Sequence, residues 1–240
     1  MANEVTPEKG EMFYEGKAKQ LFATTDPDLI IAYFKDDATA FNAKKRGSIE
    51  GKGAVNNRVS ELFFTLLENA GVRTHFVRRL NEREMLCRRL AIIPVEVVVR
   101  NIVAGSMAKR LGRVEGEVLR RPVVEWYYKS DALDDPLIND DHAEVFGWAT
   151  PAELAVLRER AHKINLVLRE FLDARDIVLV DAKFEFGRHK GEILLGDEIC
   201  PDTCRFWDKK TGDKLDKDRF RRDLGNVEAA YNEVLERVSR

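Results

Sequence analysis

The stretch IVLVDAKFEFGRHKGEILLGDE, residues 177–198, decides the fold. Successive side chains of a strand point to opposite sides, so Asp181, Lys183 and Glu185 share one face here and Ala182, Phe184 and Phe186 the other. Gly187-Arg188-His189-Lys190-Gly191 breaks the run before a second apolar segment at 192–198, which predicts a β-hairpin. The apolar face requires a covering layer. The charged face, joined by Asp197 and Glu198 from the second strand, offers oxygen ligands of the kind that suit Mg²⁺ on nucleotide phosphates. A solvated face with a lysine between two acids is the competing reading, and sequence does not fix the hairpin register.

Working outward, short apolar runs at 11–14, 20–23, 29–34, 74–80, 84–89 and 95–100 are separated by Gly, Asp or Pro and predict antiparallel strands. Between them Val55, Val59, Leu62, Phe63, Leu66 and Leu67 recur at helical spacing, with Gly71 as the stop, and this helix is expected to pack its stripe on the sheet. Thr150-Pro151-Ala152-Glu153 combines an N-cap, a proline at the first helical position and a capping-box carboxylate. Leu154, Leu157, Ala161, Ile164, Leu168 and Phe171 carry that helix to Asp173, and Phe220, Leu224, Val227, Tyr231, Val234 and Val238 predict one helix at the C-terminus. Strands precede helices in each half, which makes the class α+β with a site in the cleft between two lobes.

Composition narrows the function. The 240 residues are 44% hydrophobic, enough for a sizeable core, and 40 Lys and Arg against 42 Asp and Glu give a net charge of −2. That balance lacks the basic excess of a general nucleic-acid binder. Lys44-Lys45-Arg46, Arg78-Arg79, Arg88-Arg89 and Arg120-Arg121 are short, offset by nearby acids and free of interleaved aromatics, so they read as solvated faces. Cys87, Cys200 and Cys204 form no paired Cys-x-x-Cys, which points to a reducing cytoplasm and inert thiols; a metal site of Cys200, Cys204 and His189 would fit no common spacing. Glu4, Glu8 and Lys9 replace the apolar core of a signal peptide, and no apolar run approaches the roughly 18 residues of a membrane span.

Three further segments carry candidate chemistry. In Tyr14-Glu15-Gly16-Lys17-Ala18-Lys19-Gln20-Leu21-Phe22, a glycine and two lysines sit at a turn between strands, either a solvated hairpin tip or a cradle for a triphosphate. In the segment from Ile92 to Ser106, an apolar strand ends in Arg100 and turns into a helix; Arg100 offers a planar fork for a phosphomonoester, and Ser106 is either a further donor or an N-cap. In Cys200-Pro201-Asp202-Thr203-Cys204-Arg205-Phe206-Trp207-Asp208, followed by Asp216-Lys217-Asp218-Arg219, aromatic residues and proline suggest a held loop, with Arg205 and Lys217 as anion binders.

Taken in order, these segments resemble the phosphoribosylaminoimidazole-succinocarboxamide synthase (SAICAR synthetase) family over almost the whole chain. Ile93-Pro94-Val95-Glu96 through Arg100 to Ala104-Gly105-Ser106, and Leu195-Gly196-Asp197-Glu198 through Pro201-Asp202 to Arg205, carry most of the resemblance. Gly16-Lys17-Ala18-Lys19, Asp37-Ala38-Thr39-Ala40-Phe41-Asn42, Gly51-Lys52-Gly53, Asn56-Asn57, Lys129 with Asp131, and Asp181 to Gly187 support it. The resemblance implies ligation of L-aspartate to carboxyaminoimidazole ribonucleotide (CAIR) with ATP and Mg²⁺, through an acyl phosphate, in purine biosynthesis. It implies a fold akin to protein kinases and ATP-grasp enzymes, with lobes at 1–90 and 91–240, in a cytoplasmic homo-oligomer, a dimer, without nucleic-acid or membrane partners.

By the same resemblance Gly16, Lys17 and Lys19 cover the ATP phosphates, and the segment around Arg88 to Ile93, with Arg89, forms the adenine-side hinge. Glu185 and Asp197 hold the metal, and Lys183 lies between nucleotide and imidazole carboxylate. Arg100, Ser106 and Arg205 grip the ribonucleotide phosphate with Asp181 beside them. Lys129, which also belongs to the ATP set, completes the acceptor and aspartate region with Asp202 and Lys217. The chain departs from the family pattern at Ala43, where glycine is common, at Val103, where alanine is common, and at Cys200, where Ser or Thr usually precedes Pro-Asp. A small-molecule kinase or another ATP-grasp ligase of similar fold would share the glycine turn and the carboxylates, and is the alternative.

Overall fold

The computed structural model describes residues 6–40 and 45–240, so Phe41, Asn42, Ala43 and Lys44, and the expectation about the first residues as far as Val5, lie outside it. The chain begins with β1 (Lys9–Glu15), β2 (Lys19–Thr24), β3 (Leu29–Phe34), β4 (Asp37–Ala40), β5 (Lys45–Ser48) and α1 (Lys52–Asn69). It continues through β6 (Phe76–Arg79), β7 (Glu84–Arg88), β8 (Ala91–Ile92), β9 (Val95–Ile102), α2 (Gly105–Leu111), β10 (Val118–Tyr128) and β11 (Leu137–Ile138). The remainder is α3 (Asp140–Val145), α4 (Pro151–Asp173), β12 (Ile177–His189), β13 (Glu192–Gly196), β14 (Cys204–Asp208), α5 (Asp218–Arg221) and α6 (Val227–Val238).

All named strand pairs are antiparallel. The first sheet runs β1-β2-β3-β7-β6 and the second β11-β10-β9-β12-β13, with β14 and β8 also on β12. Helices α1 and α4 bury their apolar stripes between and against these sheets, where Phe63 meets Phe171 edge-on at 6.0 Å and Phe206 at 6.2 Å. The chain is therefore mixed α and β, with strand-rich segments before helices.

Strand β12 organises the second sheet. Its residues 177–182 pair with β14 and its residues 185–189 with β13, so the two partners separate at Lys183 and Phe184. The connection from β13 to β14, residues 197–203, leaves through that fork, and the Lys183 N–H donates to the Thr203 carbonyl at 2.9 Å. One strand face and one loop are thus held against each other. The hairpin turn is only Lys190 and Gly191, both at positive φ (49° and 82°), the backbone that a two-residue turn demands.

Two expectations change, and one strand lies where none was expected. The single C-terminal helix is two, because Asp223, Gly225 and Asn226 adopt left-handed backbone (56°, 71° and 50°) and leave Leu224 exposed. The second half of the held loop, from Cys204, is a strand paired with β12. The eleven-residue β10 was not signalled by apolar alternation; Arg120, Arg121 and Pro122 interrupt it at a register shift between Val118 and Val123.

Candidate functional site

At the fork, alternation along β12 turns Lys183 and Glu185 toward the departing loop. The Lys183 ammonium donates to Glu185 at 2.6 Å and to Glu96 of β9 at 2.8 Å, and lies 3.7 Å from Asp197. Lys129 donates to the same Glu185 oxygen at 2.8 Å. Lys19, at the start of β2, pairs with both Asp197 and Glu198. Gly16, whose N–H donates to the Lys19 carbonyl at 2.8 Å, closes the turn that delivers it. Lysines and carboxylates therefore alternate through one cluster drawn from both sheets.

Burial disfavours charge at Asp197, Lys183, Glu96 and Glu198, and the neighbouring opposite charges overcome it at the first two and not at the last two. Against burial, Lys19, Lys183 and Lys129 hold the Asp197 carboxyl well below the usual carboxylate range. Burial pushes Glu96 up despite Lys183, and burial with Asp197 pushes Glu198 up. Against burial, Glu185, Glu96 and Asp197 keep Lys183 protonated. Asp197 also adopts left-handed backbone, φ 58°, immediately after β13.

Could the acids hold Mg²⁺? Among the described residues no group of three or more His, Cys, Asp or Glu is arranged to hold a metal ion. Glu185 and Asp197 nevertheless meet through one ammonium, and two hard oxygen ligands are what Mg²⁺ takes from protein when phosphates complete its shell. The donor set fits.

A second cluster lies two residues earlier on the same face of β12. Asp181 accepts from Arg100 at 2.9 Å and from Arg205 at 2.9 and 3.1 Å. Arg100 also donates to Glu125 at 2.6 Å and to Ser106 and Tyr127 at 3.0 Å each, while Arg205 donates to Asp218 at 2.9 Å. Ser106 is the second residue of α2, and Ala104 is the N-cap, so the N-cap alternative for Ser106 is overturned. Its exposed hydroxyl accepts from Arg100 and keeps its own hydrogen for another acceptor.

Gly105 is required at its place twice over. Its φ is 53°, and a Cβ there would stand 2.8 Å from the Arg205 guanidinium carbon. Arg205 cannot retreat without leaving Asp181 and Asp218. We expect Gly105→Ala to raise the KM for a phosphorylated substrate by about tenfold or more while leaving the nucleotide KM near wild type. Equal changes in both constants, measured by steady-state kinetics, would contradict this.

The third group is buried. Asp202 accepts from Lys52 at 2.8 Å and from Tyr231 at 2.6 Å, with Lys217 at 3.7 Å, so it ties the start of α1 to α6. Burial lowers the pKa of Lys217. Lys17 and Arg89 have partners outside these three groups. Lys17 pairs with Asp131 at 2.7 Å. Arg89 stacks its guanidinium on Phe13 at 4.6 Å. Cys87, Cys200 and Cys204 are buried free thiols, and burial pushes Cys87 up to about 12.

The sequence assigned no role to Glu96, Lys52, Glu125, Tyr127, Asp218 or Tyr231. Two had a signal: Glu96 is a carboxylate within a valine-rich strand, and Lys52 stands between two glycines. His75 had none. It is buried against the edge of Phe64 at 5.2 Å, beside Lys19 and Asp197. Burial and the Lys19 charge push its pKa down from 6.5 to about 3. As pH falls between those values the unfolded chain binds a proton that the folded chain refuses, so stability drops. We expect His75→Gln to flatten that acid-side slope by up to ~1.4 kcal/mol per pH unit, read from urea unfolding across the window. Unchanged slopes would contradict it.

Cations and carboxylates so arranged, with neither a thiol nor an imidazole among the reactive groups, are the equipment of an enzyme that works on phosphates and carboxylates, and comparison with known proteins gives its class as a ligase. The chain belongs to the SAICAR synthetase family, whose model matches residues 12–238. It is 63% identical over 230 residues to the phosphoribosylaminoimidazole-succinocarboxamide synthase of Chlorobium phaeobacteroides, covering 96% of this chain and 98% of that one. The solved synthase of Ehrlichia chaffeensis superposes with a TM-score of 0.94 at 44% identity, covering 95% of this chain and 98% of that one. A SAICAR synthetase solved in complex with ADP gives a TM-score of 0.91 at 49% identity, covering 94% and 96%.

Proposed function

We propose that the chain joins L-aspartate to the carboxylate of CAIR with cleavage of ATP, giving SAICAR, ADP and phosphate. One observation carries the assignment of roles. A single face of β12 bears both clusters in succession, Asp181 among the arginines and then Lys183 and Glu185 among the lysines and acids, at about 7 Å per two-residue step. Two anionic substrates held at those positions would lie side by side.

In this reading the lobes are 1–90 and 91–240, and the site lies in the cleft between them, as in protein kinases and ATP-grasp enzymes. Arg205, Arg100 and the Ser106 hydroxyl hold the ribonucleotide phosphate. Gly16, Lys17 and Lys19 face the ATP phosphates, with the Arg89 segment at the base. Glu185 and Asp197 would hold Mg²⁺, which when bound would supply positive charge that offsets the charge of the phosphates. A carboxylate resists an amine because oxide is a poor leaving group. Transfer of the γ-phosphoryl to a carboxylate oxygen, with the bond to ADP breaking, supplies phosphate as the leaving group instead. The aspartate amine then attacks the acyl carbon, loses a proton, and phosphate departs.

Lys183 and Lys129 neutralise charge on the transferred group and on the tetrahedral adduct, and Lys217 with Asp202 borders the aspartate. Self-association as a dimer and a cytoplasmic setting belong to the same reading. Leu111, Val114 and Val118 expose apolar surface in one short segment, and no described helix is long and apolar enough to cross a membrane. The test is ADP release with each substrate omitted in turn. Full release only with all three supports the ligase. Release without aspartate, with a stable phosphorylated product, indicates a kinase.

A further inference from the structure

Two glycines in the central hairpin have ordinary strand backbone, so conformational freedom does not explain them. Glycine weakens a strand interior, and its presence there marks a close approach. At both positions the approaching group is Leu90. A Cβ on Gly187 would lie 2.7 Å from Leu90 Cβ and 3.1 Å from the Ala91 carbonyl oxygen, and a Cβ on Gly196 would lie 2.7 Å from Leu90 Cδ1. Leu90 is seated in a notch cut into β12 and β13.

The position of the notch gives it meaning. Gly196 directly precedes Asp197, and Gly187 stands two residues after Glu185. Leu90 belongs to the segment between β7 and β8, which is also held by the Arg89 stack on Phe13 and by its backbone. The Arg89 N–H donates to Asp28 at 2.7 Å, its carbonyl meets His189 Nδ1 at 2.8 Å, and the Ile93 N–H donates to Phe186 at 2.9 Å. An antiparallel ladder can slip along its strands, whereas a side chain seated between two glycines cannot.

We propose that Leu90 is a positioning residue for the ligase reaction: keyed between Gly187 and Gly196, it fixes the separation of the base end and the phosphate end of the nucleotide site. This rests on the reading of the Arg89 segment and of Glu185 with Asp197 as those two ends. Enlarging the notch wall pushes the base end away from the carboxylates, and a bound nucleotide can then satisfy only one of them.

The test is a double-mutant cycle. Gly196→Ala raises the KM for ATP on the order of tenfold or more, with the KM for aspartate close to wild type. Leu90→Ala removes Cδ1, so combining it with Gly196→Ala restores the ATP KM to the level of Leu90→Ala alone. Leu90→Ala does not rescue Gly187→Ala, because the Cβ of residue 90 remains. Leu90→Met, which keeps volume, retains the ATP KM and serves if a glycine variant fails to fold; a rise equal to that of Leu90→Ala would overturn the proposal.

Additive effects in the Gly196 cycle, or an aspartate KM rising in step with that of ATP, also overturn it. Exchange of the Arg89 and Ile93 amides with solvent tests the notch without turnover. It accelerates in Gly196→Ala and recovers in the double variant, and unchanged exchange overturns the proposal. ADP titration of the wild type by calorimetry tests the underlying reading separately. Absence of binding there refutes the nucleotide site and leaves the exchange result to judge the notch.

Discussion

Replacing Glu185 by glutamine is expected to cut ATP turnover by roughly 10²–10³-fold while the fold survives. The amide has nearly the carboxylate's shape, so packing around this buried side chain is preserved, but its charge is lost. Lys183 and Lys129 both donate to one oxygen of Glu185 at 2.6 and 2.8 Å, and without the negative charge two ammonium groups face each other across a neutral amide. The same change replaces an anionic oxygen ligand of the pair that fits Mg²⁺ by a neutral amide oxygen. Far-ultraviolet circular dichroism should be unchanged and nucleotide-dependent turnover nearly lost. Near-normal turnover would refute the role assigned to Glu185.

The largest expected stability effect is at Lys52. Its side chain is 1% exposed and that of Asp202 3%, so neither charge has water to return to. Lys52→Met leaves Asp202 buried with Tyr231 and with Lys217 at 3.7 Å, a weaker set of partners. Removing one member of a buried pair costs about 3–5 kcal/mol, and Lys217 should hold the loss to the lower end of that range. Urea unfolding measures it. A change within about 0.5 kcal/mol, the size of an ordinary surface substitution, would show that this pair does not bind α1 to the connection after β13.

Much of the fold was legible where local signals agree. β3 spans Leu29–Phe34 as its apolar run predicts, and α4 spans Pro151–Asp173 because the Thr150 capping box and Pro151 define its start. The C-terminal helix misled because Phe220, Leu224 and Val227 keep helical spacing across a break. Spacing does not register three residues held at positive φ. The prolonged β10 was hidden by Arg120, Arg121 and Pro122, since proline argues against a strand unless a register shift accommodates it.

The site divides in the same way. Asp181, Lys183 and Glu185 were readable because strand alternation is local. The convergence of Asp197 depended on hairpin register, which pairs Glu185 with Gly196. Lys52 and Asp202 are 150 residues apart, and only the packing of α1 under the fork brings them together. Lys19 reaches Asp197 from the other sheet, a contact no spacing rule foretells.

The chemistry itself can be followed by atoms. If the imidazole acid is labelled with oxygen-18 in its carboxylate and allowed to react with ATP and aspartate, phosphoryl transfer to that carboxylate requires one labelled oxygen to leave with inorganic phosphate. Mass spectrometry of the released phosphate should find the label in step with product formation. Phosphate that carries no label while the amide forms would mean that the carboxylate was never phosphorylated, and the account of side-by-side anionic substrates along β12 would fail.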